Sequence, residues 1–78
     1  MPRVLQFGNY GVFVYDERGS RHHLPHAHVK LRRHRVASVY LLSGVFYYVV
    51  ADLPGELVEM IHAELGAMLE TWTELNGD

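Results

Sequence analysis

The apolar residues of this 78-residue chain change their spacing once, near residue 52. Upstream they alternate with polar residues, as in a half-buried β-strand, and Ala27, Val29 and Leu31 alternate with His28 and Lys30. Downstream they recur every three or four positions, the spacing of one helix face: Leu57, Ile61, Leu65, Met68, Trp72 and Leu75. This change predicts an α+β fold, a small antiparallel sheet of three to five strands packed by one C-terminal helix.

Turn residues divide the upstream segment into strands and hairpins over residues 3–51. Strands are predicted at 4–7, 11–15 and 27–31, separated by Gly8-Asn9 and by a polar loop at 16–20. After a turn at 32–34, strands at 35–42 and 45–51 are joined by a two-residue loop, Ser43-Gly44.

Two registers follow from these hairpins. If Val29 pairs with Ala37, then His28 faces Ser38 and His26 faces Tyr40, on the side away from the helix. If Leu42 pairs with Val45, one apolar face collects Ala37, Val39, Leu41, Phe46, Tyr48 and Val50, while Tyr40 and Tyr47 lie on the other. A slip of one residue would invert the faces, so both registers are expectations.

Residues 54–75 are predicted to form one helix. Asp52 is the expected N-cap, and Pro54 is tolerated in the first turn. Four acidic residues fall opposite the apolar stripe: Glu56, Glu59, Glu70 and Glu74.

Basic and acidic residues lie in different parts of the chain. Residues 1–35 hold all seven Lys and Arg and a net charge of +5, residues 36–51 hold no charge, and residues 52–78 hold seven acids, no base and a net charge of −7. The overall charge of −2 therefore hides a dipolar molecule.

The length allows one domain, residues 1–78. A chain this short buries only about 60–65% of its unfolded surface, and it has no cysteine to supplement the core with a disulfide or a thiolate–metal cluster. A protein partner is therefore expected, and a homodimer stays open.

No segment predicts a membrane span or a signal peptide. The longest uncharged run has sixteen residues, 36–51, and a spanning helix needs about twenty. Residues 1–8 lack the apolar core of a signal peptide. A cytoplasmic location is the expectation.

Four histidines lie within seven residues: His22, His23, His26 and His28. Three interpretations stay open. His22, His26 and His28 can bind a divalent transition metal, with His23, Asp16 or Glu17 completing the ligands. His26 and His28 can act without metal as a general acid and base, as in a small ribonuclease. They can also be structural residues that hydrogen-bond Ser38, Tyr40 or loop carbonyls.

The two charged halves each suggest a binding surface. Four residues can contact a nucleic-acid backbone, or simply form a solvated hairpin tip: Lys30, Arg32, Arg33 and Arg35. The acidic side of the helix can meet a basic protein, or it can be a solvated face. Tyr40 and Tyr47 are candidates for a protein contact on the sheet.

A series of short segments runs in a characteristic order along nearly the whole chain: Met1-Pro2, Phe7-Gly8, Gly11–Tyr15, Pro25-His26-Ala27-His28-Val29, Leu53-Pro54 and Leu69–Trp72. This order resembles a small prokaryotic family, domain of unknown function 4160. Leu24 stands where that family usually has a proline, Arg21 replaces the usual acid before His22, and the loop at 16–21 is longer.

The resemblance implies a gene that sits beside a small partner gene in toxin–antitoxin cassettes and travels with mobile elements. It assigns no catalytic role to His26 or His28. We therefore predict a small macromolecule-binding protein acting through opposed basic and acidic surfaces, one form of which is an inhibitor of a nucleic-acid-handling complex such as a bacterial defence effector. The alternative is a small ribonuclease or metal-dependent enzyme that uses His26 and His28.

Overall fold

The computed structural model describes residues 3–15 and 24–76. The described residues form five strands and two helices: β1 Arg3–Phe7, β2 Tyr10–Phe13, β3 His26–Leu31, β4 His34–Tyr40, β5 Phe46–Val49, α1 Gly55–Ala63 and α2 Leu65–Asn76. The strands make one antiparallel sheet in the order β1-β2-β3-β4-β5. The predicted α+β fold is confirmed.

Both helices pack on one side of the sheet and bury an apolar layer. Their stripe residues Leu57, Ile61 and Met68 are at most 1% exposed. Facing them are residues from the sheet and its flanks: Val12, Val14, Ala27, Val29, Ala37, Val39 and Leu41. Burial of each large apolar side chain contributes about 1.5–3 kcal/mol, so this layer is the main source of stability.

The helical segment is divided in two, which corrects the prediction of a single helix. Glu64 has φ −109° and ψ 13°, and its N–H bonds the carbonyls of Met60 and Ile61. Asp52 is not the N-cap: Pro54, in an extended conformation, holds that position without a side-chain cap. The stripe remains continuous because Leu65 and Met68 still follow Ile61 at helical spacing.

The register between β3 and β4 is the predicted one near the histidines. Val29 pairs with Ala37, His28 with Ser38, and His26 with Tyr40. Partners in an antiparallel pair share a face, so the histidines lie away from the helices.

A β-bulge between β3 and β4 changes the direction of one basic side chain. Val29 pairs with Ala37 but Lys30 pairs with Arg35, so Val36 is the extra residue. Without the bulge, Arg35 would share the helix side with Ala37, two positions later. The bulge brings Arg35 beside Lys30 on the opposite side, since an extra residue re-aims the side chains that follow it.

A second bulge, between β4 and β5, corrects the predicted register of that hairpin. Ser38 pairs with Tyr48 and Val39 with Phe46, which leaves Tyr47 as the extra residue. The predicted pairing of Val39 with Tyr48 was therefore wrong. Tyr48 lies on the Ser38 side of the sheet instead of the apolar side.

The loop between β4 and β5 accounts for this shift, because it spans residues 41–45 instead of only 43–44. The N–H of Gly44 bonds the Tyr40 carbonyl at 2.8 Å, and the N–H of Tyr40 bonds the Val45 carbonyl at 2.9 Å. The predicted pairing of Leu42 with Val45 was therefore wrong. Val50, expected on the apolar face, is 60% exposed.

The predicted polar loop at 16–20, with Asp16 and Glu17, lies outside the described residues, as do His22 and His23. Within the described ranges, no helix is long and apolar enough to cross a bilayer.

Candidate functional site

Six rings form a chain on the side of the sheet away from the helices, and we call this surface the ring face: Phe13, Tyr15, His28, His26, Tyr47 and Tyr40. Successive ring centroids lie 6.1, 5.3, 5.0, 6.4 and 4.1 Å apart. Alternation along the strands puts Phe13, His26, His28 and Tyr40 on this side. Tyr47, the extra residue of the bulge in β5, stacks on Tyr40 and extends the chain of rings to that strand.

The two histidines at the centre of the ring face meet edge to face. Their ring planes are 82° apart and their centroids 5.0 Å apart. His26 Nδ1 lies 2.8 Å from the Leu24 carbonyl, and His28 Nδ1 lies 3.1 Å from Ser38 Oγ. A carbonyl only accepts, so His26 Nδ1 carries the proton and its Nε2 is the basic nitrogen of the neutral ring. Ser38, which pairs with His28 across β3 and β4, is 1% exposed.

Two cations border the ring face. Lys30 Nζ lies 5.4 Å from the ring centroids of both Phe13 and Tyr15. The guanidinium carbon of Arg35 lies 4.4 Å from the centroid of Tyr48. These are cation–π distances, so each positive charge is held against an aromatic surface.

Tyr15 links the cationic end of the ring face to the histidines. Its ring lies beside both His28 and Lys30, and its carbonyl accepts a 2.9 Å hydrogen bond from Asn76 Nδ2 at the end of α2. The Tyr15 hydroxyl is buried, and it has no hydrogen-bond partner among the residues that the structure describes.

The opposite end of the ring face adjoins a small cavity. It has a volume of about 220 Å³ and is lined by Leu24, Pro25, Tyr40, Leu42 and Ser43. Apart from the hydroxyls of Tyr40 and Ser43, these side chains are apolar. The cavity could hold a flat apolar group next to the stacked rings of Tyr40 and Tyr47.

The predicted nucleic-acid-binding residues separate into two places. Lys30 and Arg35 border the ring face, as described above. Arg32 and Arg33 form the turn between β3 and β4 and are exposed. Arg32 has φ +60°, and its N–H bonds the Asn9 carbonyl. The predicted turn is thus shorter by one residue, since His34 begins β4.

The predicted protein-binding residues also separate. Tyr40 and Tyr47 are stacked on the ring face, with ring planes 23° apart. The four acidic residues of the helices are exposed and lie on α1 and α2: Glu56, Glu59, Glu70 and Glu74. The two groups therefore do not form one surface.

The predicted metal site includes His22, which lies outside the described residues. Within the described part of the chain, no group of three His, Asp or Glu side chains is arranged to hold a metal ion. The described geometry thus brings together His26 and His28 but supplies no third ligand beside them.

Some ring-face residues were missed by sequence reasoning. Phe13 and Tyr15 alternate with the buried Val12 and Val14, and this alternation was available as a signal. Tyr48, which lies under Arg35 beside the ring face, had no such signal, because its direction depends on the bulge at Tyr47.

Comparisons of this chain with protein-family models, with curated proteins and with solved structures found no match.

Proposed function

We propose that this is a small macromolecule-binding protein of the toxin–antitoxin or mobile-element type, and that its ring face binds single-stranded nucleic acid. The observation that carries the proposal is the chain of six rings with cations at its border. Aromatic rings and positive charges on one sheet surface are the two elements that single-strand-binding proteins combine.

The rings supply stacking surfaces for unpaired bases. Tyr47 is 44% exposed at the Tyr40 end of the ring face, and the 220 Å³ cavity beside Tyr40 extends the surface. Base–aromatic stacking contributes about 1–3 kcal/mol per base and needs bases that are not already stacked in a duplex. This favours a single strand over a duplex.

The cations supply contacts for the phosphates. Lys30 and Arg35 pair across β3 and β4, and each places its charge over a ring beside the stacking surface, Lys30 over Phe13 and Tyr15 and Arg35 over Tyr48. The helices, which carry acidic residues and no Lys or Arg, pack on the other side of the sheet. Their negative charge repels a polyanion and favours its approach to the ring face.

The acidic side of the helices is a separate part of the proposal. It would accept a basic protein partner, and so the protein could bind nucleic acid and protein at once. Inhibition of a nucleic-acid-handling complex and a cytoplasmic location both stay predictions from the sequence.

Fluorescence anisotropy with a short labelled single-stranded RNA of mixed sequence tests the main proposal. Tyr47→Ala is expected to weaken binding by about 5-fold to 150-fold, corresponding to about 1–3 kcal/mol of lost stacking. Lys30→Gln and Arg35→Gln are expected to weaken binding and each to reduce the salt slope by about one. Arg33→Gln, at the exposed turn, is the matched control and should have a smaller effect.

Two results would contradict the proposal. One is that the wild-type protein binds single-stranded RNA no more tightly than it binds a duplex of the same sequence. The other is a loss of binding in Arg33→Gln that equals the loss in Lys30→Gln, because the hairpin tip would then be the binding surface. Far-UV circular dichroism of each variant verifies that the fold is retained.

A further inference from the structure

We infer that the outer edge of β5 pairs with β5 of a second copy of this chain, so that two copies form a symmetric dimer with one continuous sheet. The inference does not depend on nucleic-acid binding. It rests on three features of this edge: the direction of its backbone groups, its exposed apolar side chains and its lack of charge.

Val49 directs its backbone N–H and carbonyl away from β4. Among the described strands, β5 has a neighbour on one side only, because it ends the order β1-β2-β3-β4-β5. Val49 pairs with Ala37, and the N–H of the next residue, Val50, bonds the Val36 carbonyl at 2.9 Å. Successive residues of a strand point their backbone groups to opposite edges, so those of Val49 point outward. An extended strand along this edge would bond them.

The helices leave the side chain of Val49 uncovered, although it lies on their side of the sheet. Its partner Ala37 is fully buried, and paired residues share a face. Val49 is nonetheless 52% exposed, and Val50 beside it is 60% exposed. Two β-branched apolar residues therefore lie exposed at the edge of the described sheet. A partner that continues the sheet would cover them.

The two edges of the sheet differ in charge and in packing. On β1, the other edge strand, Arg3 and Gln6 are exposed, and the apolar residues pack against the core: Val4, Leu5 and Phe7. β5 has no charged residue and lies within the uncharged segment 36–51. A charged side chain on an edge strand opposes pairing with another chain. β5 therefore lacks the protection that Arg3 gives to β1.

A second copy fits this edge because the edge is complementary to itself. A two-fold axis beside Val49 places the Val49 residues of the two copies opposite each other in an antiparallel pair, where each N–H donates to the other carbonyl. The paired strands bring no charge to the contact, although each copy has a net charge of −2. The bulge at Tyr47 limits the regular edge to the residues after it. The interface is therefore small, below about 1,200 Å², and the dimer is weak.

Sedimentation velocity of the full-length protein over a range of concentrations tests the inference. We expect the wild type to change from monomer to dimer with a Kd in the micromolar range. Val49→Lys and Val49→Glu should each weaken association more than about tenfold, because like charges then lie opposite each other. An equimolar mixture of these two variants should form dimers, since the opposed charges then attract. Gln6→Lys and Gln6→Glu, at an exposed position of β1, are the matched controls and should associate as the wild type does.

Three outcomes would overturn the inference: a wild type that is monomeric up to about 1 mM, wild-type association that Val49→Lys leaves unchanged, or a mixture of the two Val49 variants that stays monomeric. The measurement on the wild type does not depend on how the variants fold, and far-UV circular dichroism verifies the fold of each variant. Because no nucleic acid is present, failure of this test leaves the proposed function standing.

Discussion

Lys30 and Arg35 pair across β3 and β4, although each carries a positive charge. Like charges directly opposite in a sheet destabilise it by up to about 1 kcal/mol. Each cation instead lies over an aromatic ring, Lys30 over Phe13 and Tyr15, and Arg35 over Tyr48. The rings thus offset the repulsion and hold two charges at the border of the ring face.

The contact between Arg35 and Tyr48 is measurable by a double-mutant cycle. We expect Arg35→Ala and Tyr48→Leu to couple by about 0.5–1 kcal/mol, the size of a partly exposed cation–π contact. The free energy of unfolding in urea gives the coupling. The same cycle with Arg33→Ala in place of Arg35→Ala should give none, and equal coupling in both cycles would contradict the assigned contact.

Gly11 is required because a ring lies against its backbone. A Cβ at this position would stand 2.8 Å from Phe13 Cε1 and 3.3 Å from Arg3 Cδ. We therefore expect Gly11→Ala to lower the free energy of unfolding by about 1–3 kcal/mol, the usual cost of overpacking. The change would also displace Phe13 and so weaken RNA binding.

Gly66→Ala is the matched control for Gly11→Ala. Gly66 lies in α2, and a Cβ there meets nothing within 4 Å. Alanine in a helix is favoured over glycine by about 0.5–1 kcal/mol, so this variant should be more stable than wild type. If Gly11→Ala were stabilising as well, the placement of the Phe13 ring would be wrong.

Gly44 combines a left-handed backbone with close packing. Its φ is +77°, and a Cβ would lie 3.0 Å from Leu65 Cδ1. We expect Gly44→Ala to cost more than Gly8→Ala, because Gly8 has φ +57° and nothing within 4 Å. The left-handed conformation alone costs about 1–2 kcal/mol. The difference between the two unfolding free energies measures the packing of the loop against α2, and equal costs would contradict that contact.

Ile61 is fully buried between α1 and the sheet. Ile61→Ala should lower the free energy of unfolding by about 2–5 kcal/mol. A domain of this size has about 4–12 kcal/mol in total, from about 0.05–0.15 kcal/mol per residue. The variant is therefore expected to be partly unfolded at ordinary temperature. Leu42→Ala, at a site that is 67% exposed, should change stability by less than about 0.5 kcal/mol.

A substitution at Glu74 is expected to affect the stability of the free protein and its binding to a partner in opposite directions. It follows Glu70 by four positions in α2, whose last turn has no basic residue. Glu74→Lys should raise the free energy of unfolding by about 0.5–1 kcal/mol, because it replaces repulsion by attraction and suits the helix C-terminus. The gain should shrink at high salt and be smaller for Glu74→Gln. A loss of stability would contradict the solvated position of this side chain.

If the acidic side binds a basic protein, Glu74→Lys should weaken that complex while stabilising the free protein. A pull-down from the native host, with and without nuclease, measures this effect. Retention of every captured protein by this more stable variant would exclude Glu74 from the interface.

The register at the histidines was predictable because it needs only local information. Apolar and polar residues alternate in β3, the turn at Arg32-Arg33 is short, and a one-residue slip would expose Ala27 and Val29. The hydrophobic effect therefore selects a single pairing, and His26 and His28 necessarily share the other face with Tyr40. The apolar stripe of the helices was predictable for the same reason.

Three features required the tertiary structure: the bulge at Val36, the bulge at Tyr47 and the helix break at Glu64. Each bulge inserts one extra residue into one strand of a pair, and the break interrupts the helix at one residue. The spacing of the apolar residues along the sequence shows neither where an extra residue lies nor where the helix breaks. The consequence of the two bulges is nonetheless large, since Arg35 and Tyr48 change faces.

The amino-acid sequence alone therefore determined the α+β class, the division of charge between the sheet and the helices, and the common face of His26 and His28, because these follow from residue spacing and composition. The sequence also placed Tyr40 and Tyr47 on that face, but only the tertiary structure decided that Phe13 and Tyr15 join them and the histidines in one chain of rings. It also decided that Lys30 and Arg35 border that chain. Contacts between strands depend on the exact register, and a single extra residue in β4 or β5 changes which side chains meet.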